Sequence, residues 1–214
     1  MKQLSISQSF MLCALNEKGK IPALRLEVPV CIFAGGVLDL WMHDCITIEN
    51  KKISAKGQLP DSLSYLKDIY DAVAGGKPTP IDKLTSAFCF TLTNKRLNNL
   101  IRQVGDSLSA IDCVNAGLEA KMGKGALYIP DKTEVEGIIQ TIRAEFLEEG
   151  RLSDETIALA VLLEKNDMIK NYFSKHESSL MKTRLKEIKK SPEHKLTTEI
   201  VDYVTIMITV IATV

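Results

Sequence analysis

Three short stretches hold residue types that could do chemistry. His43-Asp44-Cys45 places a base, an acid and a thiol in consecutive positions. Neighbours in sequence rarely aim their side chains at one point, and catalytic triads are assembled from distant segments, so a loop-to-strand junction is the expected role. The stretch GLEAKMGKGA, residues 117–126, has the glycines and lysine of a phosphate-binding loop. Five residues rather than four separate Gly117 from Gly123, however, and Gly125 stands where a hydroxyl would ligate magnesium. Nucleotide binding by this motif is therefore not expected. His176 and His194 lie outside any His-Glu-x-x-His pattern and no cysteine pair has ligand spacing, so neither a metal nor a cofactor is expected. No nucleophile, base and oxyanion donor can be named together, which argues against an enzyme.

The third stretch is basic, KTRLKEIKKSPEHK from Lys182. On a helix Met181, Leu185 and Ile188 form an apolar edge, and Lys182, Arg184, Lys186, Lys189 and Lys190 spread around the rest. Such a helix can rest on an anionic membrane, where each basic residue contributes about 1 kcal/mol. It can equally be the solvated face of a core helix.

The whole chain supplies no field to steer a polyanion. Lys+Arg and Asp+Glu both count 27 in 214 residues, so nucleic acid is not an expected partner and any electrostatic contact must be a local patch. Hydrophobic residues at 45% and charged residues at 25% suit one folded domain spanning 1–214. The opening MKQLSISQSF is interrupted by Ser and Gln and does not read as a secretory signal. Five widely spaced cysteines in mostly apolar surroundings read as reduced, buried thiols of a cytoplasmic protein.

The elements that must position these groups are mostly helices. Ser5 caps an apolar pattern through Ile6, Phe10 and Cys13, and Ser153 caps a second from Ile157 to Leu163 that is apolar nearly all round. Leu63, Leu66, Ile69, Tyr70 and Val73 form one stripe, with Asp61 or Ser62 as cap and Gly75-Gly76 as the stop. Val135, Ile138, Ile139, Ile142 and Phe146 form another, and 81–117 divides into two helical parts. CITIENKKISA reads as a hairpin about Asn50-Lys51, and KMGKGALYIP as a second short β element. The closing run IVDYVTIMITVIATV is shorter than the roughly 20 residues a membrane span needs. It reads as a buried core helix capped by Thr197 or Thr198. The fold class expected is mainly α, with short β-hairpins.

In this order the segments resemble the Golgi phosphoprotein 3 family. LSISQSFMLCALNEKGKI is similar to the family's leucine-rich first helix, and GGVLDLWMHDCI to its small-residue helix before a strand. LPDSLSYLKDIYDAV, LIRQVGDSLSAIDCVNAG and ETIALAVLLEKNDMIKNYFSKHESSLMKTRLKEI resemble the leucine stripe, the arginine helix, and the buried helix with its turn and basic helix. The resemblance implies a helical domain with a central C-terminal helix and a shallow basic pocket for phosphoinositide headgroups, notably phosphatidylinositol 4-phosphate. It also implies possession of the family's second habit, gripping cytoplasmic tails of membrane proteins. By position, Arg102 is kept, Gly105 stands where a second arginine would lie, Leu24 replaces a tryptophan and Phe33 another arginine. His43, Asp44 and Cys45 replace an Arg-Gly-Arg step. A charge-assisted hydrogen bond to phosphate is worth about 1.5–3 kcal/mol, so the absence of two implies headgroup binding weaker by about a hundredfold or more.

These readings combine into an expectation: a non-catalytic, cytoplasmic, peripheral membrane protein that binds an anionic lipid headgroup through Arg102, Lys182, Arg184 and Lys186, if folding brings the two helices to one face. The rival expectation is a soluble helical adaptor that binds a membrane protein's cytoplasmic tail without touching lipid.

Overall fold

A computed structural model describes residues 2–22, 25–116, 127–148, 152–190 and 195–213. The backbone alone is described at 116, 189, 190, 195, 197, 212 and 213. The chain runs α1 (Ile6–Ala14), α2 (Glu27–Met42), β1 (Ile46–Glu49), β2 (Lys52–Ala55), a 3-10 turn (Asp61–Leu66), α3 (Lys67–Asp71), β3 (Thr79–Pro80), α4 (Ile81–Cys89), α5 (Lys95–Ala110), β4 (Val114–Ala116), β5 (Tyr128–Pro130), α6 (Lys132–Leu147), α7 (Asp154–Lys165), α8 (Ile169–Tyr172), α9 (Lys175–Lys190), α10 (Lys195–Thr209) and a closing 3-10 turn. It is a mainly α fold with two small antiparallel sheets.

The centre of the core is α2. Twelve of its sixteen residues are buried, and α1, α4, α5, α7 and α10 pack around it. A helix apolar on every side needs neighbours on every side. Two glycines let those neighbours close in: a Cβ on Gly35 would lie 2.9 Å from the Ser7 Cα of α1, and one on Gly36 would lie 2.9 Å from the Ile69 side chain of α3. The crossing of α1 and α2 is further pinned by Asp39. Its buried carboxylate accepts from the Ile6 and Ser7 amides at 2.7 and 3.0 Å and from the Ser7 hydroxyl at 2.6 Å, satisfying the first turn of α1. Burial pushes this carboxyl up in pKa, while the donors from Ser7, Ser5 and Ile6 pull it down.

Ser5 and Ser153 cap their helices as expected, Ser5 in a reciprocal box with Gln8. The stripe from Leu63 to Val73 is buried as expected, but a 3-10 turn and the short α3 form it, starting after Pro60 with no side-chain cap. The hairpin at Asn50-Lys51 forms, both residues adopting positive φ at 50° and 61°, and β3 joins it through β2. The second β element pairs differently from a local hairpin: β5 pairs with β4, and its Tyr128 amide donates to the Gly19 carbonyl of the α1–α2 loop at 3.1 Å. Residues 117–126, with the glycines of the failed phosphate loop, lie outside the described residues.

The helix α10 starts at Lys195, ahead of the expected threonine cap, and joins the core by one face. Ile200, Val204 and Met207 are fully buried, whereas Val201, Thr205, Ile206 and Ile208 are half-buried and Thr209 is exposed. The outer face tolerates solvent because it carries Asp202 and threonines, whose hydroxyls donate back to carbonyls four residues earlier. The C-terminal helix is thus buried as expected along this face, packed between α2, α4 and α7, while α2 is enclosed on every side. No helix among the described residues is long and apolar enough to cross a membrane.

Candidate functional site

His43, Asp44 and Cys45 turn away from one another. His43 follows the end of α2 and its Nδ1 lies 2.8 Å from the Asp39 carbonyl; Asp44, at φ 57°, pairs with Lys56 at 2.6 Å. The Cys45 thiol is buried, donates to the His43 carbonyl at 3.6 Å, and is raised in pKa by burial and then by Asp44. The other four thiols are buried as well, and burial pushes Cys13 and Cys31 up to about 12. Thiolate nucleophiles need the opposite environment.

Two of the positions named from the family pocket, Phe33 and Gly105, are engaged in packing. Leu24 lies outside the described residues. Phe33 is fully buried in α2, its ring 4.9 Å from that of Phe88. Gly105 faces Tyr128 so closely that a Cβ would meet the ring at 2.3 Å. The Tyr128 hydroxyl sits 2.7 Å from Asp106 Oδ1 and 3.1 Å from the Arg102 carbonyl. Arg102 itself donates to Asn99 Oδ1 at 2.7 Å and lies 3.5 Å from Asp106 Oδ2, so its charge is shared with a carboxylate one turn on.

The helices that carry the four expected headgroup ligands pack on different neighbours. Helix α5, carrying Arg102, packs chiefly on α1, α2, α4, β4 and the 61–66 turn; α9 packs on α6, α8 and α10, and the two sets share no member. Arg184 is engaged within the fold: its Nη1 donates to the carbonyls of Glu145, Phe146 and Glu148, each at 2.8 Å, closing the C-terminus of α6. A helical wheel shows which residues surround the chain but not which one is drawn inward, and the basic edge at 184 is an inward one. Lys182 and Lys186 are exposed, and with Lys175 and Ser179 they fall on one solvent-facing stripe at helical spacing. The side chains of Lys189 and Lys190 lie outside the described residues.

That stripe borders a site the sequence did not announce. Asp167 stands in the turn between α7 and α8 at φ 54°, its backbone fixed by a 3.0 Å bond to the Glu164 carbonyl. Lys170 from α8 pairs with its carboxylate, and Lys182 from α9 and Arg25 from the start of α2 also act on it. Together they hold the Asp167 carboxyl below its usual pKa range, Lys170 contributing most. Arg25 is placed there by a 2.9 Å bond to the Asn166 carbonyl, and Leu26 beside it is 68% exposed. Arg25 and Lys170 are 145 residues apart in sequence, and no local spacing links them.

Two of the clefts among the described residues have partly apolar linings. One of about 250 Å³ lies between α6, α7 and residues 2–6, with Ile138, Ile142 and Leu159 on its floor and Glu134, Glu145 and Glu155 around it against the single Lys2. The other, of about 440 Å³, runs between α1, β5, α6 and α8 and carries Lys132 and Arg143 opposite Glu17 and Glu136. Arg143 is already paired with Glu177 at 2.8 Å and Lys132 with Glu17 at 3.2 Å. No cluster of potential metal ligands occurs among the described residues.

Comparison with curated proteins gives no match. A family model described as Golgi phosphoprotein 3 (GPP34) matches residues 6–204, from the first residue of α1 to the buried Val204 of α10. The helices just described, from the Ser5-capped α1 to the packed face of α10, are therefore those of a family domain, and the chain belongs to the Golgi phosphoprotein 3 family.

Proposed function

We propose that this protein is a non-catalytic, peripheral membrane protein that docks on anionic lipid at the cytoplasmic face of a membrane through the basic surface of Arg25, Lys170, Lys175, Lys182 and Lys186. The observation that carries the reading is the gathering of cations from three separate elements about one exposed carboxylate at Asp167. Folding normally disperses like charges, and cations gathered in this way, even with Glu27 and Glu164 close to them in sequence, favour an anionic surface. The exposed Leu26 beside Arg25 adds an apolar group at the same edge. Family membership agrees with lipid binding, while the fillings at Phe33 and Gly105 point to recognition by charge rather than by a guanidinium fork.

The test is co-sedimentation with neutral vesicles and with vesicles carrying phosphatidylglycerol. The wild type is expected to sediment with the anionic set alone, Lys170→Glu/Lys182→Glu to lose at least about tenfold in affinity, and Arg102→Ala to bind as the wild type does. Equal binding by the charge-reversed protein would overturn the reading.

One observation favours the second reading, an adaptor for membrane-protein tails. The cleft between α6 and α7 sets three carboxylates against Lys2 over an apolar floor, which suits a tail carrying Lys or Arg beside an aliphatic residue. Vesicle-independent binding of such a peptide, lost on Glu155→Lys, would favour it.

A further inference from the structure

We infer that the Asp167 carboxylate is an internal stand-in for the phosphate group of a membrane lipid, occupying its place among Lys170, Lys182 and Arg25 in the free protein and competing with it at the membrane. The inference rests on the reading of this surface as a membrane-docking site. Three features single out Asp167. Its side chain is 73% exposed, so its ion pair with Lys170 contributes little to the fold. Its backbone conformation is set independently, by the turn bonds of Asp167 to Glu164 and of Met168 to Leu163. The cations that meet there are held by their own elements: Arg25 by Asn166, Lys170 by α8, Lys182 by α9. A carboxylate so placed keeps like charges together at low cost while no lipid is near. When a lipid phosphate arrives, bearing more acceptor oxygens, the carboxylate can swing into water without disturbing the turn.

Competition makes a signed prediction: removing the carboxylate should strengthen binding. Asp167→Asn is the suitable variant, because asparagine tolerates the left-handed backbone at φ 54°. Any lost negative charge would help somewhat, so the control is Glu187→Gln. That change alters net charge equally, on an exposed position of α9 away from the Lys182 stripe. On phosphatidylglycerol vesicles Asp167→Asn should bind about fivefold more tightly than wild type, and Glu187→Gln by no more than about twofold. Equal gains for the two variants would overturn the stand-in role, and if Lys170→Glu/Lys182→Glu still abolished binding the docking reading would survive it. Failure of both wild type and Asp167→Asn to sediment would overturn both. A third arm adds inorganic phosphate at constant ionic strength against a chloride control. No extra release of protein from vesicles is expected while phosphate stays well below the lipid concentration; release at such low phosphate would mean that the site prefers the free ion and would overturn the lipid.

Discussion

At the scale of single residues, Gly105 shows how a helix position can be dictated from outside its own element. Inside a helix, glycine is ordinarily the weaker choice by roughly 0.5–1 kcal/mol relative to alanine. Here the opposite sign is expected, since an added methyl would meet the Tyr128 ring at 2.3 Å, far inside contact distance. The ring cannot step aside cheaply: it is 4% exposed, and its hydroxyl is tied to Asp106 and the Arg102 carbonyl. Gly105→Ala should therefore destabilise by about 1–3 kcal/mol, read from the denaturant midpoint, and the same change made in a Tyr128→Ala background should cost little or nothing. A gain in stability would mean that the ring moves freely. This contact was not legible in the sequence. The family resemblance marked Gly105 as the absence of an arginine, whereas its reason lies in a tyrosine 23 residues on, across the 117–126 stretch.

Among elements, the C-terminal end of α6 is stapled to α9 at two points. Arg184 closes the last turn of α6 from α9, and Arg143 of α6 reaches Glu177 in the first turn of α9, with its guanidinium 5.2 Å from the Phe173 ring centre. Glu177 also accepts from the Ser174 amide at 2.8 Å, and the Ser174 hydroxyl accepts from the Glu177 amide at 3.2 Å, a reciprocal cap. Arg143, then Ser174, hold the Glu177 carboxyl down from 4.5 to about 2. A carboxyl with a lowered folded value stabilises the fold above its unfolded value and loses that contribution as pH falls through the folded one. The unfolding free energies of wild type and Glu177→Gln should thus differ by a constant amount above about pH 5 and converge by about pH 2. A gap that persisted at pH 2 would show that the carboxylate charge is not what joins the helices. Elements of this kind were the legible part of the sequence. Caps at Ser5 and Ser153 and the apolar stripes depend on spacings of three and four residues, which one sequence displays. The pairing of β4 with β5, the inward turn of Arg184 and the meeting of Arg25 with Lys170 depend on distant partners, which it does not.

For the whole molecule, equal totals of 27 basic and 27 acidic residues mean that association must come from the arrangement of charge rather than its sum. The basic surface around Asp167 comes from Arg25 just ahead of α2 and from α8 and α9, whereas the carboxylates Glu134, Glu145 and Glu155 gather about the α6–α7 cleft. A neutral molecule with such local asymmetry is attracted to a membrane only at short range, within a screening length of about 10 Å at 0.1 M salt and about 3 Å at 1 M. Four of the five cations of this surface are lysines, point charges without the planar fork that matches a phosphate monoester; the one guanidinium, Arg25, already donates to the Asn166 carbonyl, and the buried Phe33 and the Tyr128-covered Gly105 supply no second fork. Lipid discrimination should accordingly follow charge density alone. On vesicles matched in total surface charge, affinity for phosphatidylinositol 4-phosphate and for phosphatidylglycerol should agree within about twofold, and both should fall together as salt rises. A phosphoinositide preference approaching the roughly hundredfold that two charge-assisted hydrogen bonds would confer, persisting at high salt, would instead require a stereospecific headgroup pocket. Guanidinium groups would then have to converge from surfaces that this packing keeps apart, with Arg102 on α5 and Arg184 turned into the end of α6.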